Sequence, residues 1–425
     1  MPNAAPTPQG ALALTHDIAI LGAGMVGSAL ACGLADLGYR VVIFDRQPPA
    51  EFQADAPPSI RVSALSLASE QLLNELGALK HLRAMRSCPY RRLAVWEDNR
   101  ATQPGTWFDC HEIGMPSLGS IVENEVTQKA LHTAMGVRPG IQLHCPASIT
   151  EVRETETGVE LKTDQGNVHR VLLVIGADGA FSQVRQWAHI GQTTNQYEQQ
   201  AMVITVEYEG VQEDITWQEF HPTGPIAFLP LADVVGRHYA SLVWYHQPDE
   251  ITRLMTLSKP SLIQAITETY PKQLPPIKDV IETGRFPLVK RHALHYFKGR
   301  FVLAGDAAHT INPLAGQGVN LGFQDVRALT QILAEAKAAQ CDPGLATFLS
   351  RYEKERRPQN TQMMQVMDLF YHTFSNSLLP IKHLRNLGLF LANRLPLAKQ
   401  EVLKYAIGVK TPPRSWVELH SLLPF

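Results

Sequence analysis

The chain has 425 residues, more than a single hydrophobic core normally organises, so we expect two or three domains. Hydrophobic residues make up 45% and the formal net charge is -2, which argues against a dedicated nucleic-acid-binding protein because such a protein needs a strong basic excess. The five cysteines show no CxxC pair or Cys/His spacing, so we expect reduced thiols and no metal site.

The N-terminal part of the chain begins with a βαβ unit. Residues 1–16 contain no Lys or Arg, unlike a secretory signal, and we expect a flexible leader there. Residues 18–35 carry no charge and approach the length of a membrane span, but four glycines favour a strand, a turn and a helix. An apolar strand at 17–21, a helix at 25–37 and an apolar strand at 40–44 predict the start of a parallel sheet.

Two later parts of the chain differ from the N-terminal part in their residue pattern. Between residues 201 and 245, short alternating strands rich in aromatic residues predict an antiparallel sheet, which indicates a second kind of domain. From 317 to about 405 nearly every residue fits a helix. The other predicted elements are a helix at 66–85, antiparallel strands at 92–96 and 106–109, a helix at 123–135, apolar strands at 171–175 and 300–303, and alternating strands at 203–208, 216–221, 226–229 and 240–245.

The first motif that carries chemistry follows the first strand. Gly22, Gly24 and Gly27 form a GxGxxG pattern, in which the glycines permit a tight turn, approach of the backbone to a pyrophosphate, and close helix–strand packing. The N-terminus of the following helix offers unpaired N–H groups to phosphates. Asp45 ends the second strand, where a carboxylate accepts ribose hydroxyls. The pattern predicts dinucleotide binding, with a glycine-rich packing turn as the alternative.

Two more turns with an acidic residue follow predicted apolar strands. Asp178 and Gly179 form one, and Gly305 and Asp306 form the other. Together they suggest one extended cofactor held at several points, although each alone is an ordinary Gly/Asp turn. A glycine-rich loop at 312–320 then enters a long helix, and its backbone N–H groups are suited to stabilise negative charge on a reduced flavin.

The ordered set of these motifs resembles the class A flavoprotein aromatic hydroxylases, whose members include the enzyme that acts on para-hydroxybenzoate. The likeness spans roughly residues 17–360. Four further segments resemble the bacterial ubiquinone-biosynthesis hydroxylases, in particular those that act on demethoxyubiquinol: RVSAL at 61–65, PYRRL at 89–93, VEN at 122–124 and AFLPL at 227–231.

The resemblance implies an α/β fold with a Rossmann-like FAD-binding domain, an antiparallel β-sheet substrate domain and a C-terminal helical region. We expect the leader at 1–16, the FAD-binding domain at 17–88, 120–190 and 286–345, the substrate domain at 89–119 and 191–285, and the helical region at 346–425.

The implied activity is that of an FAD-dependent monooxygenase. It would use NADH or NADPH and O2 to hydroxylate the ring of a polyprenyl benzoquinol, a demethoxyubiquinol, through a flavin C4a-hydroperoxide. One alternative is a sibling hydroxylase that acts at another ring position or on a soluble phenol. Another is a non-catalytic flavoprotein scaffold of a quinone-biosynthesis complex, against which the intact cofactor motifs argue.

The resemblance also assigns roles to individual residues. Arg61 would lie near the pyrophosphate, with an ordinary surface arginine as the alternative, and Gln128 would contact the flavin, with an exposed helical glutamine as the alternative. The other implied FAD contacts are Gly22, Gly24, Gly27 and Asp45 at the ADP half, Asp178 and Gly179 beside FAD and the nicotinamide nucleotide, Gly305 and Asp306 at the ribitol chain, and Gly316, Gly318, Val319 and Asn320 beside the flavin ring.

Pro313 and His309 are the implied catalytic positions. Pro313 matches the proline beside the flavin where oxygen is transferred, with a rigid loop residue as the alternative. His309 either braces the Gly-Asp turn or handles substrate or protons. Four aromatic residues of the antiparallel sheet are predicted walls of the substrate pocket, with ordinary core packing as the alternative: Trp217, Phe220, Phe228 and Trp244.

The implied substrate, a polyprenyl quinol, is too apolar to diffuse freely, so the protein must meet it at a membrane surface or through a quinone-biosynthesis protein complex. Residues 380–410 contain six Lys/Arg and one acid, Glu401, a composition typical of basic amphipathic helices on anionic membranes. A helical cap or a subunit contact in a homo-oligomer is the alternative. We expect a cytoplasmic protein, with peripheral attachment to the inner membrane left open.

Overall fold

A computed structural model describes residues 14–97, 105–311 and 318–374, with the backbone alone at 370–374. In chain order the described strands are β1 (Ile18–Leu21), β2 (Val41–Phe44), β3 (Val62–Ser66), β4 (Cys88–Tyr90), β5 (Arg92–Glu97), β6 (Thr106–Asp109), β7 (Gly119–Glu123), β8 (Ile141–His144), β9 (Ile149–Thr155), β10 (Gly158–Thr163), β11 (Val168–Val171), β12 (Leu173–Gly176), β13 (Gln192–Tyr208), β14 (Ile215–Phe220), β15 (Ile226–Val234), β16 (Arg237–His246), β17 (Ile277–Ala293), β18 (Phe297–Lys298), β19 (Phe301–Leu303) and β20 (His309–Thr310). The described α-helices are α1 (Met25–Asp36), α2 (Leu67–Glu75), α3 (Leu79–Met85), α4 (Asn124–Gly136), α5 (Gln183–Trp187), α6 (Pro248–Met255), α7 (Lys259–Thr269), α8 (Gly318–Ala338) and α9 (Ala346–Phe374). Among these residues no helix is both long enough and apolar enough to cross a membrane.

A six-stranded sheet in the order β18-β19-β12-β1-β2-β8 organises the predicted cofactor motifs. Strand β1 runs parallel to β12 and β2, and β12 runs parallel to β19, so the carboxyl ends of these strands meet at one edge. Every residue of β1 and β2 is buried, as expected for a parallel sheet covered on both faces. The turns after β1, β12 and β19 therefore lie side by side although they are far apart in sequence.

Helices α1 and α8 pack against each other through glycines. A Cβ at Gly33 would lie 3.1 Å from the hydroxyl of Thr330, and a Cβ at Gly322 would lie 2.6 Å from Cγ2 of Val26. The small residues let the two helices approach closely. This packing places the N-terminal ends of both helices at the edge where the three turns meet.

An eight-stranded sheet in the order β20-β17-β13-β16-β15-β14-β5-β6 forms the second layer. Its described pairs are antiparallel, except that β14 runs parallel to β5. One face packs on helices α6 and α7 in a core of aromatic and aliphatic side chains. The opposite face turns toward Ile60, Arg61 and Phe181, with which it encloses a cavity. Two three-stranded sheets, β3-β7-β4 and β11-β10-β9, complete the described strands.

The predicted N-terminal βαβ unit is confirmed by the parallel register of β1 and β2. The single helix predicted at 66–85 is wrong, because the chain forms α2 and α3 with Gly77 between them. Strand β17 was not predicted, since most of its residues are only partly buried and its charged residues weaken the hydrophobic alternation. The long helix predicted from 317 is α8 and α9 as far as residue 374, and its remainder lies outside the described residues. The proposed domain boundaries stay a proposal.

Candidate active site

The GxGxxG turn is packed so closely that two of its glycines admit no side chain. Gly22 has a φ of +97°, and a Cβ there would lie 2.4 Å from the carbonyl oxygen of Ala177 in the turn after β12. A Cβ at Gly27 would lie 1.9 Å from the carbonyl oxygen of Gly22. Gly24 differs from both, because a Cβ there would meet nothing within 4 Å. Of the three glycines of the motif, Gly24 alone has open space beside it, and it is the glycine at which a pyrophosphate is expected to approach.

Polar side chains from α4 and from Asp45, the residue after β2, fix the same turn. The amide of Ala23 donates to Oδ2 of Asp45 at 2.6 Å. The carbonyl oxygen of Ala23 accepts from Nε2 of Gln128 at 3.0 Å and contacts Nε2 of His132 at 2.7 Å. Gln128 therefore shapes the backbone of the turn, and its predicted flavin contact stays a prediction. His132 was missed, although it lies one helical turn beyond Gln128 on the same face.

The turn after β12 presents a buried carboxylate with an unused oxygen. Oδ2 of Asp178 accepts from the amides of Gln183 at 2.6 Å and Val184 at 3.3 Å. Oδ1 is buried and has no hydrogen-bond partner among the described residues. Burial raises the pKa of Asp178, although the hydroxyl of Ser182 and nearby amides partly offset the effect. An unsatisfied buried acceptor is costly, so its position here favours a bound donor.

The turn after β19 places a second carboxylate at the same edge. Gly305 has a φ of +60° and its amide donates to Oδ2 of Asp325 at 3.0 Å. Asp306 is exposed, yet the surrounding protein displaces enough water to raise its pKa against the lowering effect of the positive charges of His309, Arg61 and Arg291. The predicted position of Arg61 near the phosphates stays a prediction, and its exposed side chain lies close enough to Asp306 to act on it electrostatically.

Arg185 connects the two acidic turns, and the sequence analysis did not single it out. This largely buried side chain donates from Nη1 to the carbonyl oxygen of Ala307 at 2.9 Å and from Nη2 to that of Ala180 at 3.1 Å. Ala307 follows Asp306, and Ala180 follows Gly179, whose own surroundings are open. The guanidinium thereby fixes the spacing between the two turns. Its only sequence signal is its place in the short helix after the Asp-Gly turn.

His309 lies inside the protein beneath the Gly305 turn. It is 1% exposed, and its Nε2 contacts Oδ2 of Asp325 at 2.6 Å. This placement favours the bracing role over direct handling of substrate. Pro313 and Gly316 lie outside the described residues, so their predicted roles stay predictions.

Helix α8 begins at Gly318 and is fixed at its start by Asn320. The amide side chain of Asn320 accepts from the Ser66 amide at 3.0 Å and the Ser69 hydroxyl at 2.7 Å, and donates to the carbonyl oxygen of Ala64 at 2.9 Å. Hydrogen bonds to other residues of the protein therefore hold this side chain. The flavin contacts predicted for Val319 and Asn320 involve their backbone amides. These amides lie in the first turn of α8, and the contacts stay predictions.

A cavity of about 590 Å³ lies between this edge and the eight-stranded sheet. The strand register builds its floor in cross-strand rows. Gln218 lies opposite Ala227, which lies opposite Val243 on β16, and Ser241 lies opposite Leu229 in the next row. All five residues line the cavity. Because most of these side chains are small, the sheet leaves room for a ligand above it.

Three of the four predicted aromatic walls, Phe220, Phe228 and Trp244, need a correction. Side chains alternate along a strand, so Phe228 and Trp244 point away from the face of Ala227 and Val243 and join the core under α6 and α7. Trp217 borders the cavity, but its ring stacks on Phe228 at a centroid distance of 5.6 Å within that core. Phe220 is buried and is not among the cavity-lining residues. The aromatic residues that line the cavity are Trp217, as predicted, and Tyr90, Phe181, Tyr245 and Phe286.

The three turns together fit an FAD molecule. The open space at Gly24 adjoins the N-terminus of α1, where phosphates bind favourably. Oδ1 of Asp178, which has no hydrogen-bond partner among the described residues, and the exposed carboxylate of Asp306 are acceptors suited to the hydroxyl and amide donors of a flavin dinucleotide. The cavity adjoins the same edge through Arg61 and Thr310, so a second molecule would lie next to the cofactor.

Comparison with known proteins decides the family. A family model described as FAD binding domain matches residues 15–367. The chain belongs to this FAD-binding family. It is 45% identical to 3-demethoxyubiquinol 3-hydroxylase of Escherichia coli K12, covering 92% of this chain and 98% of that protein. It is 34% identical to the ubiquinone hydroxylase UbiL of Rhodospirillum rubrum, covering 94% of this chain and 92% of that protein.

Two solved structures share the fold. The p-nitrophenol 4-monooxygenase PnpA of Pseudomonas putida DLL-E4 superposes with a TM-score of 0.77 at 18% identity, over 94% of this chain and all of that chain. PqsL of Pseudomonas aeruginosa, a probable FAD-dependent monooxygenase, gives a TM-score of 0.70 at 22% identity over 88% of this chain and 99% of that chain. The resemblance to the ubiquinone-biosynthesis hydroxylases, the fold class and the FAD-dependent monooxygenase class are therefore confirmed.

For this FAD enzyme, Asp306→Asn should weaken FAD binding by about ten- to a hundredfold, because a charge-assisted hydrogen bond is worth roughly 1.5–3 kcal/mol. The pKa of Asp306 is raised by folding, so its ionised form costs folding free energy at neutral pH, and the variant apoprotein should melt no lower than wild type. Fluorescence titration with FAD and a thermal melt measure both quantities. Unchanged FAD affinity in the folded variant would assign the turn another role.

Proposed function

We propose that this chain hydroxylates the ring of a polyprenyl benzoquinol, a demethoxyubiquinol, using FAD, NADH or NADPH, and O2. The observation that carries the proposal is the likeness to 3-demethoxyubiquinol 3-hydroxylase of Escherichia coli over nearly the whole of both chains. The name of a second relative, ubiquinone biosynthesis monooxygenase COQ6 of Homo sapiens, at 30% identity, points to the same pathway. The family match alone would fit any FAD-dependent hydroxylase.

The cavity has the chemistry that a quinol ring requires. Its volume of about 590 Å³ lies within the usual range for small-molecule sites, and its lining is mostly apolar. Gln218 lines the cavity and is half-buried. The hydroxyl of the fully buried Ser241 also lies at the cavity and has no hydrogen-bond partner among the described residues. A quinol carries ring oxygens that donate and accept, so Gln218 and Ser241 are the groups we propose to orient the ring.

The protein's own part in the reaction is then to orient the ring and to exclude water. Bound FAD, once reduced by NADH or NADPH, supplies activated oxygen next to the cavity. The apolar side chains of Val203, Leu229 and Val243 keep water from the oxygen-transfer step. A quinol ring is already electron-rich, so a strong general base is unnecessary.

The decisive experiment is a single turnover of the purified holoprotein. The protein should carry about one FAD per chain, and anaerobic NADH or NADPH should reduce it. Addition of O2 with a short-chain demethoxyquinol should yield the hydroxylated quinol, identified by mass spectrometry and by the position of the new oxygen. A product hydroxylated elsewhere would indicate the sibling hydroxylase, and turnover of soluble phenols alone would indicate a different substrate class. A flavin that no nicotinamide nucleotide reduces would favour the scaffold.

We also propose that the chain meets its lipid substrate at the inner membrane, as a peripheral protein. Residues 381–410, which carry the basic and apolar composition, lie outside the described residues. Each basic residue near an anionic surface contributes on the order of 1 kcal/mol, screened by salt.

Replacing Lys382, Arg385, Arg394 and Lys399 by Gln should therefore release the protein from anionic liposomes in a flotation assay at low salt. Turnover of a short-chain quinol should be retained. A matched control replaces four basic residues elsewhere on the surface: Arg153, Lys162, Arg253 and Lys259. If wild-type protein does not bind such liposomes, a partner protein or a homo-oligomeric contact would be the better explanation of the basic, apolar segment.

A further inference from the structure

A buried polar network lies directly under the Gly305 turn, and its centre is Asp325 of helix α8. Asp325 is fully buried. Its Oδ2 accepts from the Gly305 amide at 3.0 Å and contacts Nε2 of His309 at 2.6 Å. One carboxylate oxygen therefore holds both ends of the segment that contains Asp306.

The other carboxylate oxygen is held by the last described helix. Oδ1 of Asp325 accepts from Nε of Arg356 at 2.7 Å and from Nδ2 of Asn360 at 3.2 Å. Arg356 is 2% exposed, and Asn360 is fully buried and also donates to the hydroxyl of Tyr296 at 3.1 Å. Helix α9 also donates from the Tyr352 hydroxyl to the carbonyl oxygen of Leu303 on β19 at 2.9 Å, so it contacts the strand before the turn as well as the network. Neither Arg356 nor Asn360 lines the cavity.

The charges of His309 and Arg356 strengthen the contacts that Asp325 makes with the turn and with α9. Burial alone would raise the pKa of Asp325, but the neighbouring His309 and Arg356 charges outweigh it and lower that pKa to about 2. The carboxylate is therefore ionised at any working pH. Undocking of α9 would take Arg356 away, and a buried carboxylate that loses a cationic partner is strongly destabilised. If α9 leaves, the carboxylate must find other donors, and the two it has left belong to the turn.

We infer that Asp325 is a positioning residue that couples the docking of helix α9 to the shape of the Gly305–Asp306 turn, and thereby to FAD binding. Coupling of this kind is reciprocal: if a docked α9 strengthens FAD binding, bound FAD must stabilise the docking of α9 by the same factor. The inference rests on membership of the FAD-binding family and is independent of the substrate.

The test compares Arg356→Met with Glu335→Gln in the full chain. Both changes remove an ion pair between α8 and α9, but the Arg351–Glu335 pair is exposed, whereas the Arg356–Asp325 pair is buried and Asp325 contacts the turn. Fluorescence titration of folded apoprotein, well below its melting temperature, gives the FAD dissociation constant. Hydrogen exchange of the α9 amides, with and without FAD, gives the stability of docking. Arg356→Met should weaken FAD binding about tenfold, within the usual range of such couplings, and Glu335→Gln should not.

The exchange data separate coupling from a general loss of stability. In wild type, FAD should slow exchange along α9, and in Arg356→Met this protection should be lost. Because Arg356→Met is buried and could fail to fold, Asn360→Ala provides a milder variant that removes one donor to Asp325 and should shift FAD affinity in the same direction. Two results would overturn the inference. One is that both variants melt lower but bind FAD as tightly as wild type, and the other is that FAD does not change the exchange of the α9 amides in wild type.

Discussion

Gly24→Ala should give a chain that folds as wild type does and yet binds FAD about a hundredfold more weakly, a loss of about 2.7 kcal/mol. A Cβ at Gly24 meets nothing within 4 Å, and the residue has a φ of −69°, which any amino acid adopts without strain. The apoprotein therefore has no reason to lose stability. The added methyl instead occupies the space through which the pyrophosphate approaches the N-terminus of α1.

Gly27→Ala is the matched control, three residues away in the same motif. Its Cβ would overlap the carbonyl oxygen of Gly22 at 1.9 Å, so the turn and the helix must separate. Overpacking of this kind costs about 1–3 kcal/mol or more, so this variant should melt lower even without FAD. Thermal melts of the two apoproteins and FAD titrations distinguish the roles. Equal melting losses in both variants would show that Gly24, too, is only a packing glycine.

The cofactor motifs could be predicted from sequence because each depends on a few adjacent residues. A tight turn after an apolar strand requires its glycines locally, and the parallel sheet then brings the separate turns to one edge. Arg185 and Asp325 escaped prediction because their roles depend on partners distant in sequence. Asp325 joins Gly305, His309 and Arg356, and only the fold shows that these residues meet.

The substrate cavity was harder to predict because its position depends on which face of a strand is covered. A shift of one residue moves every side chain to the opposite face, and the sequence around Phe228 does not state where α6 and α7 pack. A signal existed in residue size. On β15 and β16, Ala227, Ser241 and Val243 alternate with the larger Phe228, Leu242 and Trp244. Large aromatic side chains fill a core, whereas a cavity needs a floor of small ones.

Ala227→Phe should lower hydroxylation of a short-chain demethoxyquinol about a hundredfold, the usual effect of displacing a reacting ring from its productive position. Ala227 lies in the cavity floor between Gln218 and Val243, so a phenyl ring there occupies the space proposed for the substrate ring. The FAD content should not change, because the cofactor turns are on another sheet. Product yield per NADH or NADPH consumed is the measurement.

Phe228→Leu tests the opposite face of the same strand, one residue along. Phe228 is fully buried against Trp217, so the smaller side chain should cost about 1–2 kcal/mol of unfolding free energy and lower the melting temperature. Turnover below that temperature should stay at the wild-type level, because no cavity-lining side chain is altered. If Phe228→Leu abolished hydroxylation while Ala227→Phe preserved it, the substrate would bind on the face under α6 and α7, and the proposed floor of small residues would have no part in the reaction.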